Sequence, residues 1–100
     1  MTPLTHEHAK HVFHLYVIRT QDRNKLQAHF NEYGIVTGIH YPTPLPFLKA
    51  YDYLGYKLED FSVANRYKDE IISLPLFPEL SNIQIEYIMS IIGKFGGISL

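Results

Sequence analysis

Four histidines, His6, His8, His11 and His14, crowd the first fourteen residues of this 100-residue chain. Imidazole is the commonest metal ligand among side chains. A zinc site, however, needs three or four ligands converging on a tetrahedron, each steadied by a further partner. His6 and His8 fall in a polar leader, and His11 and His14 straddle the start of a strand. An ordinary polar leader gives the same cluster, so no metal site is expected. The run His40-Tyr41-Pro42-Thr43-Pro44-Leu45 offers different chemistry. A histidine and a tyrosine at a strand end, followed by a stiff proline turn, make a platform for ligand contacts. Rigid backbone keeps polar tips within the tolerance that recognition demands. The same residues equally suit a structural turn in which Tyr41 packs and His40 bonds to a backbone carbonyl. On the residues alone, both readings stand.

The lysines complete the search for reactive groups. An imine-forming lysine must be desolvated so that its amine is neutral at working pH. Lys25, Lys68 and Lys94 fall on polar stretches with helical spacing, Lys49 and Lys57 in turn-rich segments, and Lys10 in the leader. None sits in an apolar setting with phosphate-binding glycines and serines nearby. There is no G-x-G-x-x-G, no P-loop and no serine–histidine–acid constellation. No catalytic and no cofactor-binding residue is therefore expected in the chain itself.

The elements that must position these groups follow from periodicity. Val12 to Arg19 is rich in β-branched and aromatic residues and apolar on both faces. It predicts a strand inside a sheet covered on both sides. Thr20-Gln21-Asp22 is a plausible cap for a helix from Arg23 to Tyr33, with Leu26, Phe30 and Tyr33 on one face and Gly34 closing it. Ile35 to Tyr41 predicts a second strand, weakened by Gly38 and ended by the prolines. Phe47 to Tyr53 predicts a short helix that Gly55 breaks. Asp60 to Glu70 predicts another, and Ile71 to Leu74 a short buried strand stopped by Pro75. Ser81 and Gln84 have capping-box spacing ahead of a last helix. There Ile85, Ile88, Met89, Ile92 and Phe95 recur at helical intervals before Gly96-Gly97. Ile83, Tyr87 and Ile91 widen that stripe past half the circumference, so part of its cover is expected from outside the chain. The order β-α-β-α-α-β-α gives an α+β fold, a small antiparallel sheet with helices packed mainly on one face.

Composition narrows the function classes. Ten acids against nine lysines and arginines give a net charge of −1, with no basic patch to track a nucleic-acid backbone. No apolar run approaches membrane-spanning length. The absence of cysteine removes disulfides, thiolate metal sites and cysteine nucleophiles, and suits a cytoplasmic setting. Eight tyrosines fit either packing in the core and turns or half-buried interfaces.

Four blocks in order carry a resemblance: His11 to Arg19 (H-V-F-H-L-Y-V-I-R); Gly34 to Leu45 (G-I-V-T-G-I-H-Y-P-T-P-L); Ala50-Tyr51 with Leu54-Gly55-Tyr56; and Ser73 to Ser81 (S-L-P-L-F-P-E-L-S). Together they resemble the C-terminal small domain of the DegT/DnrJ/StrS-type sugar aminotransferases, over about His11 to Phe95. The resemblance implies fold-type-I, pyridoxal-phosphate-dependent enzymes that aminate nucleotide-linked keto-sugars for polysaccharides or antibiotics and work as homodimers. It implies a small domain at 11–95, between a leader (1–10) and a tail (96–100). In such enzymes the imine lysine, the phosphate-binding residues and the acid facing the pyridine nitrogen belong to a large N-terminal domain. That domain would be a missing partner here, and no cofactor is expected to bind this chain alone. The histidine and tyrosine of the family's I-H-Y-P segment, which reach the sugar nucleotide, map onto His40 and Tyr41. The histidine of the H-L-Y-V-I strand maps onto His14, which lines or supports the same cleft. Two positions depart from the pattern: Pro46 stands where members often carry histidine, and Ser62 where they often carry proline. The alternative is a stand-alone binding module that kept the small-domain fold.

Overall fold

Tyr16–Arg19 (β1) and Ile71–Leu74 (β2) pair antiparallel, with Ile18 opposite Ile72 and Val17 opposite Ser73. In the computed structural model the described residues are 1–96. Strand alternation puts Tyr16, Ile18, Ile72 and Leu74 on one face and Val17, Arg19, Ile71 and Ser73 on the other. The first face carries the core. Helices α1 (Arg23–Glu32) and α3 (Asn82–Lys94) bring Leu26, Phe30, Ile88, Ile91 and Ile92 onto Ile18 and Ile72, and Ile35 closes the cluster. This is the expected small antiparallel sheet with its helices mainly on one face.

The start of α3 and the stop of α1 have local causes. Ser81 and Gln84 form the expected capping box: Ser81 Oγ accepts from the Gln84 amide at 3.2 Å, and Gln84 Oε1 accepts from the Ser81 amide at 2.9 Å. After α1, Gly34 adopts φ 73°, the left-handed conformation in which a Cβ would be strained. At the start of α1 the expected side-chain cap is absent. The Asp22 carboxylate turns instead to Lys25, 2.8 Å away. Three polar ties then fix the packing. Arg23, buried within α1, donates to the carbonyls of Lys68 and Ile71. His29 Nε2 meets the Ile91 carbonyl at 3.0 Å, and the Tyr87 hydroxyl donates to the Tyr33 carbonyl at 2.9 Å.

Several of the expected elements need correction. The first strand begins at Tyr16, not Val12, because Phe13 takes φ 48° and its amide donates to His11 Nδ1, turning the chain out of line. Nor is β1 interior to the sheet; β2 is, with β1 on one side and a single residue of the 35–41 segment on the other. Among the described residues that segment makes a single strand-type pairing, the Gly38–Ser73 bridge; Val36 is exposed and the prolines follow. The expected helix at Phe47–Tyr53 is two 3₁₀ turns, Leu45–Phe47 and Lys49–Leu54, separated by extended Leu48. Without a buried face they lack the packing that sustains an α-helix. The expected helix at 60–70 splits into a 3₁₀ turn, Leu58–Phe61, and a short α2, Ser62–Tyr67, with Phe61 as the joint. The last helix ends at Lys94 with Phe95 extended; Gly97, part of its expected terminator, lies outside the described residues.

The far face of the sheet is polar at one end. Arg19 donates through Nε and Nη2 to Glu70 Oε2, at 3.0 and 2.6 Å, and its guanidinium lies 3.5 Å from the Tyr67 ring centroid. On the outer edge of β1, Met1 clasps Arg19: its ammonium donates to the Arg19 carbonyl and its carbonyl accepts the Arg19 amide. The apolar stripe of α3 is only half covered. Ile88, Ile91 and Ile92 are buried, whereas Ile83 is 79% and Met89 55% exposed. Ile85 and Met89 line an open apolar groove of about 370 Å³ with Tyr16, Leu74 and Leu80. None of the eight tyrosines is in the buried cluster.

Trimming the core and trimming this exposed stripe should differ in cost. Ile72→Val should lower unfolding free energy by about 1 kcal/mol, and Ile83→Ala by less than about 0.5 kcal/mol. Urea titration of both variants checks the contrast.

Candidate functional site: a histidine anchored beside a proline turn

Gly38 and Ser73 exchange both backbone hydrogen bonds, at 3.1 and 2.7 Å. This bridge ties the otherwise unpaired 35–41 segment to the central strand and sets where the next residues go. Ser73 is a polar residue within the buried strand sequence I-I-S-L and is only 3% exposed. A hydroxyl taken out of water needs a partner. It finds one in His40, whose Nδ1 lies 2.8 Å from Ser73 Oγ. The ring reaches that position across Gly38: a Cβ built there would come within 2.8 Å of His40 Cε1. Glycine is therefore needed at residue 38 for close approach.

Beyond the anchored ring the site is open. His40 and Tyr41 are joined by a cis peptide bond, and their rings meet edge-on at 5.4 Å. Tyr41 is 71% exposed and, with Pro42, Thr43, Pro44, Leu45 and Leu48, lines a shallow cleft of about 450 Å³. Within this stretch the polar donors and acceptors are the His40 imidazole, the Tyr41 phenol and the Thr43 hydroxyl. Such a surface can bind and orient a polar ligand. Its one hydroxyl–imidazole pair, Ser73 with His40, has the serine buried away from the cleft, and among the described residues it has no metal-ligand set. The structural-turn reading had His40 bonded to a backbone carbonyl; its partner is instead the Ser73 side chain, and Tyr41 does not pack.

The other histidines lie elsewhere. His14 sits in a bend before β1, exposed, and no hydrogen bond or ring contact joins it to His40 or Tyr41 among the described residues. His6 and His8 approach each other at 5.4 Å between ring centroids, and His11 stacks on Phe13. Among the described residues no group of three or more histidines or acids could hold a metal ion. The residue that sequence reasoning missed is Ser73. Its signal was available: a lone hydroxyl in a buried strand.

The amines are not poised for imine chemistry. Lys25 is exposed, and the Asp22 carboxylate raises its pKa above the ordinary lysine value, first by hydrogen bonding and then by its charge. Lys68 pairs with Asp69 at 2.8 Å, and Lys94 lies over the Tyr33 ring. Among the described residues, no helix is long and apolar enough to cross a membrane.

A profile of the DegT/DnrJ/EryC1/StrS aminotransferase family matches residues 1–93. The chain is 40% identical over 95 residues to a pleiotropic regulatory protein of Geobacillus stearothermophilus, covering 95% of this chain and 26% of that one. It is 32% identical to the dTDP-3-amino-3,6-dideoxy-alpha-D-galactopyranose transaminase of Aneurinibacillus thermoaerophilus, covering 94% and 25%. Its fold superposes on the crystal structure of S. venezuelae DesV in complex with a ketimine intermediate, with a TM-score of 0.85 and 26% identity. That superposition covers 98% of this chain and 27% of DesV. The chain thus spans about a quarter of the length of the relatives it matches. Its family is one of pyridoxal-phosphate-dependent enzymes. On the match over residues 1–93 and the shared fold, the chain belongs to the DegT/DnrJ/EryC1/StrS aminotransferase family.

Proposed function

We propose that this chain is the small C-terminal domain of a nucleotide-sugar aminotransferase and that it presents His40 and Tyr41 to the sugar nucleotide. The observation that carries this reading is the His40–Tyr41 pair, anchored at one end by Ser73 and open at the other, on a chain of this family. In the complete enzyme an amino group would pass to a keto-sugar. The cofactor supplies the electron sink for that chemistry. This chain's part is to bind and orient. His14, exposed ahead of β1, would border the same cleft in the assembled enzyme. The proposed boundaries remain a leader at 1–10, the domain at 11–95 and a tail at 96–100, in a cytoplasmic, homodimeric enzyme.

The chain's own residues do not fit pyridoxal phosphate. An imine needs a neutral, desolvated amine, whereas Lys25 and Lys68 each pair with a carboxylate 2.8 Å away. The cofactor would be held by a large N-terminal domain, a partner about three times the length of this chain by the coverage of its relatives. The open groove beside α3 is in keeping with cover of that kind. The same groove favours a second reading, a stand-alone interaction module that kept the fold. Sedimentation separates the two: a self-associating chain favours the module, and a monomer favours the domain.

Replacing the histidine that matches His40 by alanine in a full-length relative should raise KM for the sugar nucleotide more than it lowers kcat. An unchanged KM would count against the assignment. Pyridoxal phosphate added to the purified chain should give no imine absorption that survives dialysis. A persistent band quenched by borohydride would overturn the cofactor assignment.

A further inference from the structure

His40 is held through one ring nitrogen only, and which nitrogen carries the proton follows from its partner. Ser73 Oγ is buried and, among the described residues, its only hydrogen-bond partner is His40 Nδ1, at 2.8 Å. Two arrangements satisfy that distance. If Nδ1–H donated to Oγ, the serine's own proton would point into a buried site with no acceptor. An unsatisfied buried donor costs about 1–3 kcal/mol. If Oγ–H donates to Nδ1, both groups are satisfied, since Nδ1 of the neutral ring is then an acceptor. Proton positions are assigned from such networks, and here the network favours one tautomer by roughly fivefold or more. Nε2 then carries the ring proton. It has no partner among the described residues and belongs to a ring exposed beside Tyr41.

We infer that Ser73 is a positioning residue that fixes His40 as the neutral Nε2–H tautomer, so that His40 offers a hydrogen-bond donor to an oxygen of the bound ligand. Gly38 is the second part of the device, because a side chain there would push the ring off Ser73. The selectivity that results is chemical. A ligand group reaching Nε2 must be an acceptor, such as a phosphoryl, carbonyl or hydroxyl oxygen; an amine or amide N–H would meet a donor.

The functional meaning of this inference rests on the proposed role of His40 in ligand contact, but its test does not. The ¹⁵N shifts of the His40 imidazole are read in the ligand-free chain at about pH 8, where an ordinary imidazole is neutral. The expected pattern is an unprotonated Nδ1 and a protonated Nε2. Ser73→Ala and Gly38→Ala should each move the two shifts toward the average of interconverting tautomers, and Ser73→Thr, which restores the hydroxyl, should return them. Backbone amide spectra confirm that each variant is folded; if Ser73→Ala does not fold, the parent chain and Gly38→Ala decide. A protonated Nδ1 in the parent chain, or shifts unmoved in a folded Ser73→Ala or Gly38→Ala chain, would overturn the inference while leaving the proposed function standing. An unchanged KM on replacing the histidine in a relative would do the reverse.

Discussion

Two backbone hydrogen bonds between Gly38 and Ser73 connect the His40–Tyr41 site to the strand that packs into the core. On one side of them lies β2, whose Ile72 is packed among the core residues of both long helices. On the other lies a segment with no strand partners of its own, a proline turn and a string of exposed 3₁₀ turns. Ser73 serves both sides at once. Its backbone closes the bridge and its side chain holds His40. Because neighbouring residues of a strand face opposite ways, the residue beside a core isoleucine is placed to support a site on the far face. Core and site are thus one residue apart along the chain and a sheet's thickness apart in space.

The division of the sheet follows from charge and size as much as from hydrophobicity. The core face takes isoleucine and leucine against Phe30 and the α3 isoleucines. The far face takes Arg19, tied to Glu70 and capped by Tyr67, together with Ser73 and the ring it holds. Arg23 then seals the junction by giving its guanidinium protons to carbonyls where α2 ends and β2 begins. Such an arrangement leaves few polar groups stranded; among the described residues no buried side-chain nitrogen or oxygen lacks a partner.

What was legible in the sequence was whatever depends on neighbours in the chain. The capping box of the last helix, the left-handed Gly34 and the spacing of Leu26 and Phe30 are local signals, and all appear in the fold. The misread elements depend on distant partners. Val12 to Arg19 has the composition of a strand throughout, but a turn at Phe13 removes its first half from the sheet. The turns between Leu45 and Phe61 carry enough apolar residues for helices yet find no face to bury them on. Among the candidate site residues, the family pattern pointed to His40 and Tyr41, while the serine that holds His40 lies 33 residues away and declared itself only as a polar residue in an apolar strand.

The Met1–Arg19 clasp has a consequence for how the molecule behaves in a crowd. A sheet edge invites other chains to add a strand when several consecutive N–H and C=O pairs stand free. In β1 the outward pairs belong to alternate residues, here Val17 and Arg19, and Met1 already occupies both groups of Arg19. Val17 is left as the one unspoken-for step within the strand. On this edge an incoming strand would find a foothold of a single residue, too short to set a register.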